Sequence, residues 1–331
     1  MSAQYQSICN PARAALFAWC VRAALFFFGV LFLYVLGLDV SNDAGDYRDL
    51  ALRMQDVDLV DVASTERFEI GFISLYWGLA QLYSPVMAFF MTGLAALSVK
   101  YYLLNKHFHY PLIAWIVYIS VFLSVHEANQ IRTALAMCFV LYALIASESG
   151  KSYLLLAAAA ALFHWSGLIL LSLYFIRSPL IGLASVALLA LAWNFIVYTG
   201  AESFGSSLSY LSGTDTNVNL SSSVFIAQAC LSLVCALQWR HLTAAQKKGA
   251  YLLMVGVVLY VSFYDNAIMA HRLRELSVLG ILPLMFLGER RLRLTYSFLI
   301  MSLSVGYIVG YNLWVVMDEL LDLYPVTLLS G

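Results

Sequence analysis

Charge is what this sequence has least of. Only 11% of its 331 residues are Asp, Glu, Lys or Arg, against about a quarter in soluble chains. That shortage excludes an ordinary soluble domain. A hydrophobic share of 62% and a mean hydropathy of +0.82 stand in its place. Cysteine is also scarce. Cys9, Cys20, Cys138, Cys230 and Cys235 all lie in or beside apolar runs, and no two stand at metal-ligand spacing. A zinc site and a disulfide framework are therefore not expected. No internal or inverted repeat is visible, which argues against a transporter built from two related halves. The first apolar run, 14–38, lacks an Ala-x-Ala cleavage signal, so it is expected to stay as a span. The net charge of −1 gives no nucleic-acid signal, and no such partner is expected.

What is present is a succession of apolar runs, near 14–38, 86–104, 110–125, 129–147, 152–163, 165–177, 179–199, 223–239, 249–264, 273–288 and 294–315. The chain reads as all-α, a single polytopic transmembrane helical bundle over 1–331 with eleven spans. Residues 70–83 are too short to cross and end at Ser84-Pro85, which makes them a half-membrane helix. Residues 152–163 and 165–177 are short too. At 1.5 Å per residue each reaches about 18 Å of a hydrocarbon core of about 30 Å. They read as two short helices meeting at "FHWSG", 163–167, with His164 below the surface in a cavity open to water.

Lys and Arg set the orientation. Lys100 with Lys106, then Lys151, Arg177, Arg240 with Lys247 and Lys248, and Arg290 with Arg291 and Arg293 fall in alternate loops. These loops and the N-terminus are expected in the cytoplasm. The outer face then carries loops 39–69 and 200–222 and the turns near 126–128, 164 and 265–271. Nine of the nineteen acidic residues fall within 39–69.

Ionisable groups at membrane depth are costly, so each is a candidate for function. Arg132 stands one turn into its span, in "HEANQIRTALA" with Glu127, Asn129 and Gln130. As a plain interfacial residue it would only snorkel; as a ligand it would hold a phosphate bidentately. His164, with Trp165 beside it, is either a satisfied core histidine or a proton-transfer group. Ser166 is weaker, and no Ser-His-Asp order is legible. His271, Arg272, Arg274 and Glu275 form a second polar cluster on the outer side. Arg272 and Glu275 are spaced to pair on a helix, but outer arginines run against the positive-inside tendency and fit an anionic ligand. In the acidic loop, most carboxylates simply solvate it. Asp46 and Tyr47, just after the first span, and Glu69, just before the half-helix, are placed at the rim of the cavity. A lipid-embedded, phosphorylated substrate would explain such a site.

Two stretches carry a family resemblance. "NQIRTALAMCFVLYALI", followed by "LLLAAAAALFHWSGLILL", is similar to the core of the EpsG/Wzy-type bacterial polysaccharide polymerases. The family's Asp-Tyr pair is matched by Asp46-Tyr47, its Glu before the next apolar segment by Glu69, and its late outer arginine by Arg272. The resemblance implies a glycosyltransferase of the C-type membrane fold in the bacterial inner membrane, with its site facing outwards. It would use undecaprenyl-diphosphate-linked oligosaccharide repeat units and transfer a glycan from one lipid diphosphate to the non-reducing end of another unit. It implies no cofactor and no metal. Arg132 and Arg272 would neutralise the diphosphate, and His164 would position the acceptor hydroxyl or take its proton. Asp46 or Glu69 would be the alternative base. Tyr47, Asn129, Gln130, Glu127, His271 and Trp165 would bind substrate. Membrane lipid, a chain-length regulator and a flippase are the further partners expected. The chain departs from the family in its unusually acidic 39–69 loop. Rival readings are a polysaccharide O-acyltransferase, a flippase or transporter, and a ligase.

Overall fold

The structure is a computed structural model that describes residues 11–39, 42–66, 68–108, 110–127, 130–146, 150–200 and 218–286, with Ser304 and Gly306. Every regular element among the described residues is helical. In chain order these are α1 (Pro11–Asp39), α2 (Asn42–Met54), α3 (Leu59–Thr65), α4 (Ile70–Leu82), α5 (Pro85–His107) and α6 (Pro111–Tyr118). A π-helical stretch, Ile119–Glu127, continues α6, and α7 (Ile131–Ile145) and α8 (Gly150–Ala161) follow. Then come a 3₁₀ segment (Trp165–Phe175), α9 (Pro179–Gly200), α10 (Ser223–Leu237), a short 3₁₀ turn (Trp239–His241), α11 (Ala244–Ser262), α12 (Ala267–Val278) and α13 (Ile281–Phe286).

Among the described residues α5 is long and apolar enough to cross a membrane by itself. Shorter apolar helices accompany it, Trp19–Val35, Ile131–Ile145 and Pro179–Phe195 among them. Their outward faces stay apolar. Leu16, Phe17, Trp19, Phe27 and Leu31 on α1, and Leu188, Leu189 and Phe195 on α9, are all exposed. A surface of this kind does not stand in water, and it fits a chain solvated by lipid.

The structure departs from the sequence reading in four places. The acidic stretch 39–69 is not a plain loop: it folds into α2 and α3. Ala44, Tyr47, Leu50, Ala51 and Met54 recur at helical spacing and are all buried, while Asp46 and Asp49 face outward. Residues 165–175 are 3₁₀ rather than α. At about 2.0 Å per residue they reach about 22 Å, further than an α-helix of the same length. The run 273–288 is broken at Leu279-Gly280 between α12 and α13. Gly280 and Gly249 face each other there with no room for a Cβ on either. Finally, Lys100 is not a loop residue. It lies within α5, fully buried, and pairs with Glu127, which also accepts from the Tyr118 hydroxyl. The last expected span, 294–315, and most of loop 200–222 lie outside the described residues.

Gly93 makes that pairing possible. A Cβ there would stand 2.8 Å from the Glu127 carbonyl oxygen, so only glycine lets α5 and the π-helical turn approach. Removing one member of a buried ion pair strands the other charge, at roughly 3–5 kcal/mol. Lys100→Met should therefore lower stability by about that amount. Lys100→Met with Glu127→Leu should recover most of it, as thermal unfolding in a neutral detergent would register.

Candidate functional site

The site is assembled where α4 meets the corner between α8 and the 3₁₀ segment. The Phe72 N–H donates to the Leu162 carbonyl at 3.1 Å. A Cβ at Gly71 would lie 2.7 Å from that same oxygen, so glycine is required for the contact. Glu69 is thereby delivered to the corner at the head of α4, and both its oxygens are used. Oε2 accepts from Arg132 Nη1 at 2.9 Å, and Oε1 accepts from the Trp165 backbone N–H at 3.1 Å.

Arg132 is fixed from three sides. Its Nε donates to the Tyr47 hydroxyl at 3.2 Å, and its guanidinium lies 4.4 Å from the centre of the Phe68 ring. A guanidinium over an aromatic face is held by the ring quadrupole. Tyr47 is held in turn, because the Tyr76 hydroxyl donates to its carbonyl at 2.8 Å. Arg132 remains 23% exposed at its side chain and Glu69 16%. The ion pair is ordered but still reachable.

His164 is buried. Its Nδ1 accepts from the Ser166 backbone N–H at 3.2 Å and stands 2.6 Å from the Ser166 hydroxyl. A backbone amide can only donate, so Nδ1 is the acceptor and the neutral ring carries its proton on Nε2. Gly167 lets the 3₁₀ segment press against α8, since a Cβ there would collide with Ala160.

Arg272 completes the cluster. Its Nη2 is 3.9 Å from Asp43 Oδ2 across the gap between α12 and α2. Burial raises the Asp43 carboxyl above its ordinary range, against the opposing pull of Arg272. Arg132 and Arg272 both act electrostatically on Asp43, on Tyr47 and on His164. Both cations thus lie close enough to the histidine to act on it electrostatically. Beside them opens an apolar cavity of about 490 Å³, lined by Trp165, Ile169, Leu189, Trp193, Leu259 and Leu273 among others. The Trp165 side chain belongs to its wall while its backbone belongs to the site.

The structure thus brings together Arg132, Glu69, Tyr47, His164, Trp165 and Arg272. Asp46 is exposed on α2, one turn from Asp43 and close enough to interact with it. Gln130 is half-buried just before α7. His271 turns to meet the Tyr260 ring, at 5.3 Å between centroids. Glu127 has a different partner set, Lys100 and Tyr118. Asn129 lies outside the described residues. Sequence reasoning passed over Asp43 and Phe68. Asp43 was findable from its three-residue spacing to Asp46, once 42–54 is taken as a helix; Phe68 is one of 20 phenylalanines and carries no such signal.

Apolar helices with lipid-facing surfaces, packed around a partly exposed cluster of ionisable residues, define a membrane protein. A model of the EpsG family matches residues 20–309, and the chain belongs to that family. The family is associated with glycosyltransferase-like polysaccharide polymerases. No curated protein and no solved structure matches the chain.

Glu69→Gln keeps an acceptor for the Trp165 N–H but removes the charge beside Arg132. In a double-mutant cycle with Arg132→Met, read by thermal unfolding, the coupling should reach about 1 kcal/mol or more. A coupling near zero would mean that the pair does not tie α4 to α7. The Asp43 carboxyl is raised on folding, so its contribution is fully present at low pH and lost as pH rises through the folded value. Asp43→Asn should then be at least as stable as the parent at pH 7, with the difference closing on acidification.

Proposed function

We propose that this protein polymerises oligosaccharide repeat units carried on undecaprenyl diphosphate, in the bacterial inner membrane. The observation that carries this reading is the Arg132–Glu69 pair with His164 and Arg272, next to an apolar cavity that shares Trp165 with the site. Cations recognise a diphosphate, and an apolar trench next to them accommodates hydrocarbon. A lipid diphosphate is both at once. The bundle would have eleven spans and the C-type glycosyltransferase arrangement, with the N-terminus cytoplasmic and this site facing outward.

The reaction assigns each group a task. An acceptor hydroxyl at the non-reducing end of one unit attacks the anomeric carbon of another. The bond from that carbon to the diphosphate oxygen breaks, and the lipid diphosphate leaves with the electron pair. Arg132 and Arg272 offset the charge that develops on it. His164, with Nδ1 held by Ser166, offers its Nε2–H as a donor and so orients an oxygen rather than taking a proton. Both Glu69 oxygens are already accepting hydrogen bonds. Asp46, exposed on the neighbouring helix, is the carboxylate best placed to receive the hydroxyl proton. This geometry also tells against O-acyl transfer, which would need the histidine as base. Undecaprenyl-diphosphate oligosaccharide and membrane lipid are the proposed partners, with a chain-length regulator and a flippase upstream or alongside.

The test is a reaction in nanodiscs with lipid-diphosphate-linked repeat units as the only substrate and products resolved on a gel. A ladder of lengths is expected. Arg132→Ala should lose on the order of 100-fold or more in rate, and Asp46→Asn a comparable factor. Movement of substrate without chain growth would mean transport, and a ladder indifferent to Arg132→Ala would move the site elsewhere.

A further inference from the structure

A second cavity, of about 630 Å³, lies at the end of the bundle away from His164. Its walls are the ends of several elements. Ile145 closes α7, Tyr153 opens α8, Ile176 and Arg177 follow the 3₁₀ segment, Trp239 stands in the short 3₁₀ turn, and Lys247 and Lys248 lie in the first turns of α11. Three of these residues are cations. Among the described residues that line the cavity none is acidic.

The cations differ in setting. Arg177 is exposed and Lys247 half-buried, whereas Lys248 is only 8% exposed. Its ammonium donates to the Ala143 carbonyl at 3.2 Å, near the C-terminal end of α7. That position suits a cation, because the α7 dipole is negative there. α11 begins at the same place, fixed by a Thr243–Gln246 capping box, and adds the positive end of its own dipole. The remaining wall is apolar or aromatic. Ile145, Ile176 and the half-buried Trp239 form a hydrocarbon-compatible side next to the charges.

We propose that this cavity holds the phosphate of an anionic membrane phospholipid, with the acyl chains leaving along the Ile145–Ile176–Trp239 side. Basic pockets between helices at one membrane surface take anionic headgroups in this way, and tryptophan is at home at that depth. A free anion would use the three cations but would have no use for the apolar wall. The site is separate from the Arg132 cluster, and the inference does not rest on the polymerase reading. It has a consequence for that cluster. α7 runs from Arg132 to the cavity, and the 3₁₀ segment runs from His164 to it. A phosphate gripped by residues from the 3₁₀ end and from α11 would brace the elements that present both groups at the far end.

The full chain in mixed micelles, analysed by native mass spectrometry, tests the inference. Phosphatidylglycerol should be retained in preference to phosphatidylcholine. Arg177→Ala with Lys247→Ala should weaken that retention on the order of 30-fold, each cation near an anionic lipid contributing about fivefold. Lys248 is left in place because it supports the α7 end. Equal retention of the two lipids would overturn the proposal, as would a double variant that holds phosphatidylglycerol like the parent. Inorganic phosphate that binds as tightly as the lipid would make this a soluble-anion site and overturn the lipid assignment. Should the double variant fail to fold, the parent alone decides. Its preference must fall as ionic strength rises from about 0.1 to 1 M, where screening shortens from about 10 to 3 Å, and a preference indifferent to salt would sink the idea.

Discussion

The Glu69 carboxylate holds three distant parts of the chain together. Arg132 belongs to α7, Trp165 to the 3₁₀ segment, and Glu69 itself to the head of α4. α4 has 13 residues, about 20 Å of helix, too little to be held by crossing the membrane. It is held by what it touches. The close approach at Gly71 and the Phe72 N–H to Leu162 bond set its head against the α8 corner. The two Glu69 oxygens then fix where the guanidinium points. Each bond of this kind is worth roughly 1.5–3 kcal/mol when one partner is charged. Placement of Arg132, and through Trp165 the attitude of the histidine beside it, depends on those few bonds.

Two ion pairs in this bundle have the same chemistry and opposite roles, and exposure separates them. Lys100 and Glu127 are both fully buried. A pair so enclosed contributes little net stability against its desolvation, yet losing one partner is severe. Its effect is to fix how the π-helical turn meets α5, and no substrate reaches it. Arg132 and Glu69 keep 23% and 16% of their side-chain surface. There the charge is ordered but still open to exchange, so the phosphate of the proposed substrate could share the guanidinium without uncovering a buried carboxylate. The Asp43–Arg272 contact is looser again at 3.9 Å, and burial disfavours the charged form of that carboxyl. Arg272 is thus the cation a ligand would recruit most easily.

What was legible in the sequence follows from what each signal costs. Arg132 and His164 stood out because charge and imidazole at membrane depth are expensive. The helices α1, α5, α7 and α9 were legible because long apolar runs admit few other structures. α2 was not, because its five buried positions are diluted by five acidic and basic neighbours, and the charge outweighed the period. Lys100 was read as a loop residue because a cation near the end of an apolar run usually is one; only its partner Glu127, 27 positions on, explains its burial. The π and 3₁₀ stretches were illegible in principle. Their residues are the same Ile, Leu, Val and Phe that build α-helices, and the close approaches at Gly93 and Gly167 that accompany them depend on residues far apart in sequence. Ser166 was discounted for want of a third partner, when its amide alone decides the tautomer of His164.

That tautomer constrains the proposed chemistry more than any other feature. A histidine two residues before a serine reads as half of a nucleophile and base pair. Here Ser166 N–H donates to Nδ1, and the Ser166 hydroxyl stands against the same nitrogen. With Nδ1 engaged, Nε2–H is a donor. The backbone amide cannot move off Nδ1 without breaking the turn at His164, so the donor is fixed at Nε2. A neutral donor beside two cations is an anion-binding arrangement, suited to a departing diphosphate or to the oxygen lined up against it. In the proposed reaction the proton released by the acceptor would then leave by another path. α2, with Asp46 on its exposed face and Tyr47 on its buried one, would supply that path on one helix in the proposed reaction. One side of α2 steadies Arg132, and the other offers a carboxylate to solvent. This division of labour gives the acidic stretch after the first span a physical reason to be folded.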